Sequence, residues 1–552
     1  MASLKGDRAR VSVMPKRAHP RPIYIQKSAG EHEKKVSTER MKKAALGAAL
    51  ALSLTALLIR TSVAGDKSAW DTVQSVAGLY CIVSLPLYIL YRDIKRYKKA
   101  LTTDLQKLAL LCVILVGALA ISRLSMEIFS TFTGNLRGVG ARTGYFAIPL
   151  AVGSMLATLL FDIHIGIVCS FISSVFAGIL VGGEQLFFVY SFVGSMIAAF
   201  SVVRCTERSA LLKAGLFVSV ANMATVAVLD LYRHDLFSSL GIYDIVSGAI
   251  GGILTAVLVS GILPLLESLF NVVTDISLLE YSDLNRPLLR NLMVSAPGTY
   301  HHSIVIGSLA EAAAEAVGAN PLMARVAAYY HDIGKMNKPE YFIENQARGE
   351  NRHDRLTPSM SCLIIAAHVK EGIELAKEHK LPPQITDVIR QHHGTSRMTY
   401  FFEKAKEAAL DPSSVREEEF RYPGPKPQTK VAAIVMLADA VEAASKVLDN
   451  PTPQRIAALV EKTVARFFED GQLNECELTL KDLTAISKSL NVLLAGIYHY
   501  RIDYPGMGIP SGGGKRKLGG TANKLAEEGK GVSPAPDEGG GKGPVLAGLR
   551  RR

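Results

Sequence analysis

The stretch AAYYHDIGKMNKPE, residues 327–340, sets His331 beside Asp332 at the end of an apolar run and follows them with Gly334 and Lys335. A buried imidazole or carboxylate must be paired, hydrogen-bonded or bound to metal. One such pair carries little information, because a lone buried histidine is usually a hydrogen-bonded core residue. Its meaning depends on the other polar groups in the same half of the chain.

That half, residues 273–507, holds nine of the thirteen histidines. His302 opens a helix in GTYHHS (298–303), with His301 as its close competitor. His368 lies within SMSCLIIAAHVKEG (359–372). His392 and His393 precede Gly394 in VIRQHHGTS (388–396). Asp439 stands in KVAAIVMLADAVEAA (430–444), an otherwise apolar helical pattern. Five imidazoles and two carboxylates exceed what one four-coordinate zinc needs. They match two metals with several protein ligands each. The N/O set without thiolate suits Mn or Fe, with Mg, Zn or Co also compatible. Two metals together can clamp the attacking and leaving oxygens of a phosphoryl displacement. Asp332 is the natural bridge, since a carboxylate can give one oxygen to each metal. Lys335 could meet a phosphate oxygen or simply cap a helix end.

Around these positions the pattern is one of amphipathic helices with capped starts, as at Asn320-Pro321 and Thr357-Pro358. Period-two alternation is almost missing, so residues 273–507 read as an all-α domain. The remainder of the chain differs. Nearly half of the 552 residues are apolar and the mean hydropathy is positive. That excess falls in the first half, in runs at about 44–61, 72–91, 106–123, 145–161, 164–182, 185–203, 210–230 and 244–266. Each is close to the ~20 residues that cross a bilayer. Residues 145–182 as one helix would measure about 57 Å, too long for a ~30 Å hydrocarbon core. The break is expected near DIHIG (162–166), where Asp162 and His164 mark an interfacial turn more readily than a functional pair. The expected fold is therefore a transmembrane bundle of about eight spans over 44–272, followed by the helical domain.

The net charge of +12 belongs to the ends. Residues 1–43 carry +8 and residues 511–552 carry +5, leaving a nearly neutral body. This argues against a nucleic-acid groove and suits either an anionic lipid surface or solvated tails. Residues 1–43 and 508–552 both read as disordered, the latter rich in Gly, Lys and Pro. The basic stretches RMKKAA (40–45), YRDIKRYKKA (91–100) and RCTERSALLK (204–213) fall on one face of an eight-span bundle. The positive-inside rule places that face, both termini and the helical domain in the cytoplasm, with the protein multi-pass in the inner membrane. The six cysteines form no CxxC and read as free thiols.

The combination HD…H…HH…D resembles the HD-domain metal phosphohydrolases. Longer strings narrow the resemblance: LLEYSDLNRPLLRNLMVSAPGTYHHS, ANPLMARVAAYYHDIGKMNKPEYFIENQ, QHHGTSRMTYFFEKA, FRYPGPKPQ and DGQLNECELTLKDL. Over residues 145–507 the chain is similar to the multi-span membrane receptors with an intracellular HD hydrolase, the family of PgpH-type cyclic di-AMP phosphodiesterases. The resemblance implies that His302, His331, Asp332, His368, His392, His393 and Asp439 are metal ligands; Asp332 and Lys335 are the catalytic candidates from the residue chemistry above. The resemblance also implies a cyclic dinucleotide substrate, hydrolysis of cyclic di-AMP to pApA, and membrane lipids as surroundings. The family pattern favours His302 over His301, while His353, His379 and His499 lack a matching context. A homo-oligomer is compatible with all of this.

Two features depart from the family. The loop between the first two runs is short, about residues 62–71, where many members carry a folded ectodomain. Val431 stands where an acidic residue is expected. Four other readings remain at this level: hydrolysis of cyclic di-GMP, action on another nucleotide, nucleotide binding without turnover, and a nucleic-acid hydrolase. The enzymes of the first kind carry a GYP motif after the paired histidines, whereas this chain reads QHHGTSRM.

Overall fold

A computed structural model describes residues 24–59, 69–135, 139, 141–203, 205–346 and 351–498. Residues 1–23 and the tail 508–552, both expected to be irregular, lie outside the described residues. The regular structure of the described residues is helical. Among the described residues the one extended pairing is an isolated antiparallel bridge between Arg397 and Arg421.

The first half comprises α1 (Tyr24–Leu58), α2 (Ala69–Tyr97), α3 (Lys99–Thr103), α4 (Leu105–Gly134), α5 (Ala141–Tyr145), α6 (Val152–Leu160), α7 (Ile163–Leu180), α8 (Gln185–Ser201), α9 (Arg208–Tyr232) and α10 (Gly241–Phe270). The first helix begins at Tyr24, inside the segment expected to be aperiodic. Six helices are long and apolar enough to cross a membrane: Met41–Leu58 within α1, then α2, α4, α7, α9 and α10. α8 is apolar but has only 17 residues. The eight expected spans therefore become six of full length, one shorter helix and one broken segment.

The broken segment is the run at 145–161. It forms α5 and α6 joined by an irregular stretch through Pro149, which lacks an N–H and disfavours helix in the residue before it. Its two ends lie at opposite ends of α4. Gly144 packs so closely on Phe129, near the α4 C-terminus, that a Cβ there would come within 2.6 Å of the Phe129 carbonyl. Asp162, after α6, meets Lys98 at 2.8 Å, just ahead of the α4 N-terminus. The broken segment thus reaches both ends of α4, while among the described residues six helices have the length of a full span. The expected break at DIHIG is present: Asp162 caps α7 by accepting from the Ile165 N–H at 3.1 Å, and His164 pairs with Asp93 at 2.7 Å. Both polar groups serve an interfacial turn.

Irregular backbone at membrane depth is tolerated only when buried in protein and satisfied there. Residues 146–152 are buried throughout, Pro149 included. The Tyr190 hydroxyl donates to the freed Phe146 carbonyl at 2.5 Å. α9 and α10 lie against this segment and against each other, with the Asn222 amide donating to the Gly248 carbonyl across the pair.

The second half comprises α11 (Asp275–Tyr281), α12 (Pro287–Ser295), α13 (Pro297–Ala316), α14 (Pro321–Tyr330), α15 (Pro358–Glu378), α16 (Pro383–Gln391), α17 (Thr399–Ala408), α18 (Lys430–Ser445), α19 (Pro453–Glu469) and α20 (Leu480–Ile497). The caps expected at Asn320 and Thr357 form, accepting from the N–H groups of Met323 and Met360. α18 is the central element, with every residue from Ala432 to Ala438 buried. α20 packs on the same core through Leu483, Ile486, Leu490 and Leu494, a stripe with helical spacing. Val431 packs against this apolar core. α10 ends at Asn271, whose backbone is left-handed, and Thr274 then starts α11 with a capping box.

Tyr190→Phe leaves the Phe146 carbonyl buried without a donor. Loss of about 1–3 kcal/mol is expected for such an orphan, read as a lower thermal midpoint of the full chain in detergent. An unchanged midpoint would show that the broken segment does not depend on this bond.

Candidate metal centre

Five elements converge beneath α18. His302 projects from the second turn of α13. His331 caps the C-terminus of α14 and Asp332 follows it into a short 3-10 helix at Ile333–Asn337. His368 lies in α15, His392 and His393 close α16, and Asp439 lies in α18. The structure brings all seven expected residues together. Their ligand-type atoms form two groups: His302, His331 and Asp439, and Asp332, His368, His392 and His393, each spanning no more than 4.8 Å.

Asp332 faces both groups, one oxygen to each. Its Oδ2 is 3.1 Å from His331 Nε2 and 3.6 Å from His302 Nε2. Its Oδ1 is 3.3 Å from His368 Nε2 and 3.6 Å from His392 Nε2. The carboxylate is only 1% exposed, and Oδ1 has no hydrogen-bond partner; neither has His331 Nε2. Buried polar atoms are normally satisfied, so two orphans aimed at the same place fit cations between them.

The imidazoles are held for that purpose. His331 Nδ1 donates to the Ala328 carbonyl at 2.7 Å and His392 Nδ1 to the Ile389 carbonyl at 2.8 Å. His368 Nδ1 donates to the Ile365 carbonyl. In each case the acceptor is three residues back; for His331 and His392 it lies in the last turn of the helix, and for His368 it lies within α15. Fixing the proton on Nδ1 leaves Nε2 with its lone pair toward Asp332, as a metal ligand requires. His302 has a carboxylate instead: its Nδ1 bonds Glu442 at 2.8 Å, and its Nε2 lies 3.1 Å from Asp439.

These surroundings tune charge. Burial disfavours charge on His302, but hydrogen bonds to Asp439 and Glu442 prevail and push it up to about 9. His368 has no such carboxylate to itself, and burial pushes it down to about 4. Burial also holds His393 well below the ordinary histidine range. Burial works against the Asp332 carboxylate, yet the charges of His331 and Lys335 hold it well below the usual range. Lys335 Nζ sits 2.7 Å from Asp332 and 2.8 Å from Glu344; burial opposes its charge and the two carboxylates preserve it.

Gly334 explains why the turn after His331-Asp332 is so tight. A Cβ there would fall 1.9 Å from the His368 carbonyl and 2.5 Å from the Gly372 nitrogen. The absence of a side chain lets the turn rest directly on α15, and so sets Asp332 against His368. Gly394, at φ +52, turns the chain away directly after His393.

His301 is exposed, whereas His302 is buried. His353 is buried outside the centre, bonded to the Tyr341 carbonyl at 2.8 Å. His379 caps α15, and His499 lies outside the described residues. Three contributors escape sequence reasoning. Glu442 was legible in part, being a second acid on an apolar helix, three residues from Asp439 on the same face. Glu344 and Tyr422 were not. Glu344 holds Lys335 from a 3-10 turn, and Tyr422 stacks on His393 with ring centroids 4.1 Å apart; both lie in irregular segments without periodicity.

A family model described as "7TM receptor with intracellular HD hydrolase" matches residues 73–274, and one described as "HD domain" matches residues 299–444. The chain thus matches a 7TM-like helical region followed by an HD domain, and it is similar in sequence to proteins named PgpH. It is 39% identical over 440 residues to the Bacillus subtilis protein named cyclic-di-AMP phosphodiesterase PgpH, covering 78% of this chain and 60% of that protein. It is 42% identical over 301 residues to the protein of the same name from Listeria monocytogenes, covering 54% of this chain and 42% of that one. The chain thus spans less than two thirds of the length of these relatives. A crystal structure of the Listeria PgpH HD domain in complex with cyclic-di-AMP aligns to 40% of this chain and all of that one, at 46% identity and a TM-score of 0.38. The multi-span region carries its HD domain on the cytoplasmic side. The clustered His and Asp side chains lie within the segment that matches the HD domain and form two groups, each able to hold a metal ion.

Two outcomes follow from this geometry. Gly334→Ala is expected to reduce bound metal by about half or more, although no ligand changes, as read by elemental analysis of the purified chain; full metal content would separate the turn from the site. Metal loading at the His302 group requires loss of the proton that His302 holds below about 9. Apparent affinity there should therefore rise about tenfold per pH unit below that value, with proton release visible by calorimetry in buffers of different ionisation enthalpy. The neutral His368 and His393 release none, and Glu442→Gln should diminish the release.

Proposed function

We propose that this chain is a membrane-bound phosphodiesterase that uses two divalent metal ions, Mn or Fe, to hydrolyse a cyclic dinucleotide, foremost cyclic di-AMP to pApA. The observation that carries the reading is Asp332, buried with one oxygen toward each ligand group. Homology to proteins named as cyclic-di-AMP phosphodiesterases supports the choice of substrate. The proposed ligands are His302, His331, Asp332 and Asp439 on one side, and Asp332, His368, His392 and His393 on the other.

When bound, two such ions supply charge to the phosphate oxygens and lower the pKa of water. The protein's own part is positional. Asp332 fixes the separation of the two groups. Glu442 orients His302, and the backbone carbonyls of Ala328, Ile365 and Ile389 orient the other rings. Lys335 is the catalytic cation: held by Asp332 and Glu344, its ammonium stands where it can meet a phosphate oxygen as charge builds in the transition state. Water attacks phosphorus, the P–O3′ bond breaks, and the 3′ oxygen leaves with a proton. Opening the ring once yields the linear dinucleotide with its 5′ phosphate.

We further infer that both termini lie on the cytoplasmic side of a bacterial inner membrane. Support comes from the basic residues Lys42, Lys43, Lys95 and Lys98 gathered at one end of the bundle.

The test is turnover by the full chain in nanodiscs, with Mn or Fe, against cyclic di-AMP, cyclic di-GMP and a linear dinucleotide. Cleavage of cyclic di-AMP to pApA is expected, with Asp332→Ala losing activity by at least about three orders of magnitude and retaining helical content. Metal-loaded protein that leaves every cyclic dinucleotide intact would leave a nucleotide-binding receptor in place of the enzyme.

A further inference from the structure

A cavity lies in the membrane region, far in sequence from the HD domain. It measures about 450 Å³ and sits between α1, α2 and α4. Its walls are apolar for most of their area, built by residues such as Leu50, Leu87, Leu111 and Leu115. The volume falls within the ~300–1,000 Å³ of small-molecule sites. All three helices contribute the portion next to the basic end of the bundle: the start of the apolar part of α1, the last turns of α2 and the first turns of α4.

Three further features mark what belongs inside. The Ser84 hydroxyl lines the cavity, is out of contact with solvent and has no hydrogen-bond partner. Lys43 and the phenols of Tyr88 and Tyr91 are also on the wall, and Arg92 reaches the Tyr88 hydroxyl at 3.0 Å. The apolar interior thus has its cationic groups at one end only. The outer faces of the helices around it are exposed and apolar, including Ile82, Leu85 and Ile89 on α2. In a bilayer these faces meet acyl chains.

We propose that this cavity is a binding site for an anionic glycerophospholipid of the cytoplasmic leaflet, with one acyl chain inside and the phosphate beside Lys43 and Arg92. An acyl chain matches the apolar walls. A phosphate complements the cations at the level where the headgroups of that leaflet lie. The glycerol ester region comes within reach of the tyrosine phenols, and an ester carbonyl can accept from Ser84. α4, which forms one wall, also packs on α6, α7 and α10, and α10 leads into the HD domain. The lipid therefore touches a helix connected to the enzyme without approaching the metal centre.

Gly47 provides the decisive variant. It lines the cavity, and a Cβ built there meets nothing within 4 Å. Gly47→Leu should fill the space without a backbone clash and strengthen the helix. The experiment is native mass spectrometry of the full chain released from nanodiscs containing equal phosphatidylglycerol and phosphatidylcholine. Expected is one phosphatidylglycerol retained per chain after phosphatidylcholine has been stripped. Gly47→Leu should lower that retention at least tenfold, and Lys43→Gln should erase the preference for phosphatidylglycerol while an adduct persists. Equal retention of both lipids, full retention in Gly47→Leu, or an adduct of another mass would each overturn the proposal. So would an empty wild-type chain whose cavity is closed to lipid by its own amino-terminal residues.

Discussion

The metal centre depends on one constraint: a carboxylate with no solvent access must satisfy two oxygens with groups drawn from different helices. Asp332 does so by turning Oδ2 toward His302 and His331 and Oδ1 toward His368 and His392. Hydrogen bonding inside the protein leaves Oδ1 and His331 Nε2 without partners. Cations between the groups resolve both deficits at once. The positive charge of Lys335 and the extra acids Glu344 and Glu442 complete the electrostatic balance around them.

The fold serves that constraint through rigid, buried backbone. α18 is apolar on all sides and sits in the middle of the domain, so Asp439 and Glu442 project from an element that cannot shift independently. Three of the histidines are tied to carbonyls three residues earlier, which fixes each ring to its own helix. Gly334 brings the turn carrying Asp332 into backbone contact with α15. Placement to within a fraction of an ångström comes from these contacts and not from the ligands alone. The membrane half obeys a different solvent. Its broken crossing at 141–161 survives because it is enclosed by α4, α8 and α10 and because Tyr190 supplies a donor to Phe146.

Much of this architecture is legible in the residues. Apolar runs of bilayer length identify the membrane half, and capped amphipathic helices identify the second. The histidines and acids stand out because each interrupts an apolar helical pattern. Span counting worked less evenly. Run length could not distinguish a straight helix from α5, a Pro149 turn and α6, since hydropathy sums over residues and is blind to where the backbone bonds go. The start of α1 was missed for a related reason: residues 24–43 have no apolar period, and their helix continues from the hydrophobic part of the same element.

By itself, the sequence determined the two-part helical organisation, the chemical kinds of ligand, and the choice of Asp332 as the group able to serve two cations. These follow from residue type and local spacing, which need no knowledge of distant contacts. Only the tertiary structure decided that Glu442, Glu344 and Tyr422 belong to the site, and it buries His302, which the family resemblance favoured, while leaving His301 exposed. It alone divided the ligands into two groups about one carboxylate. Those outcomes depend on which side of a helix is buried and which segments meet, and such meetings are set by packing across the whole domain.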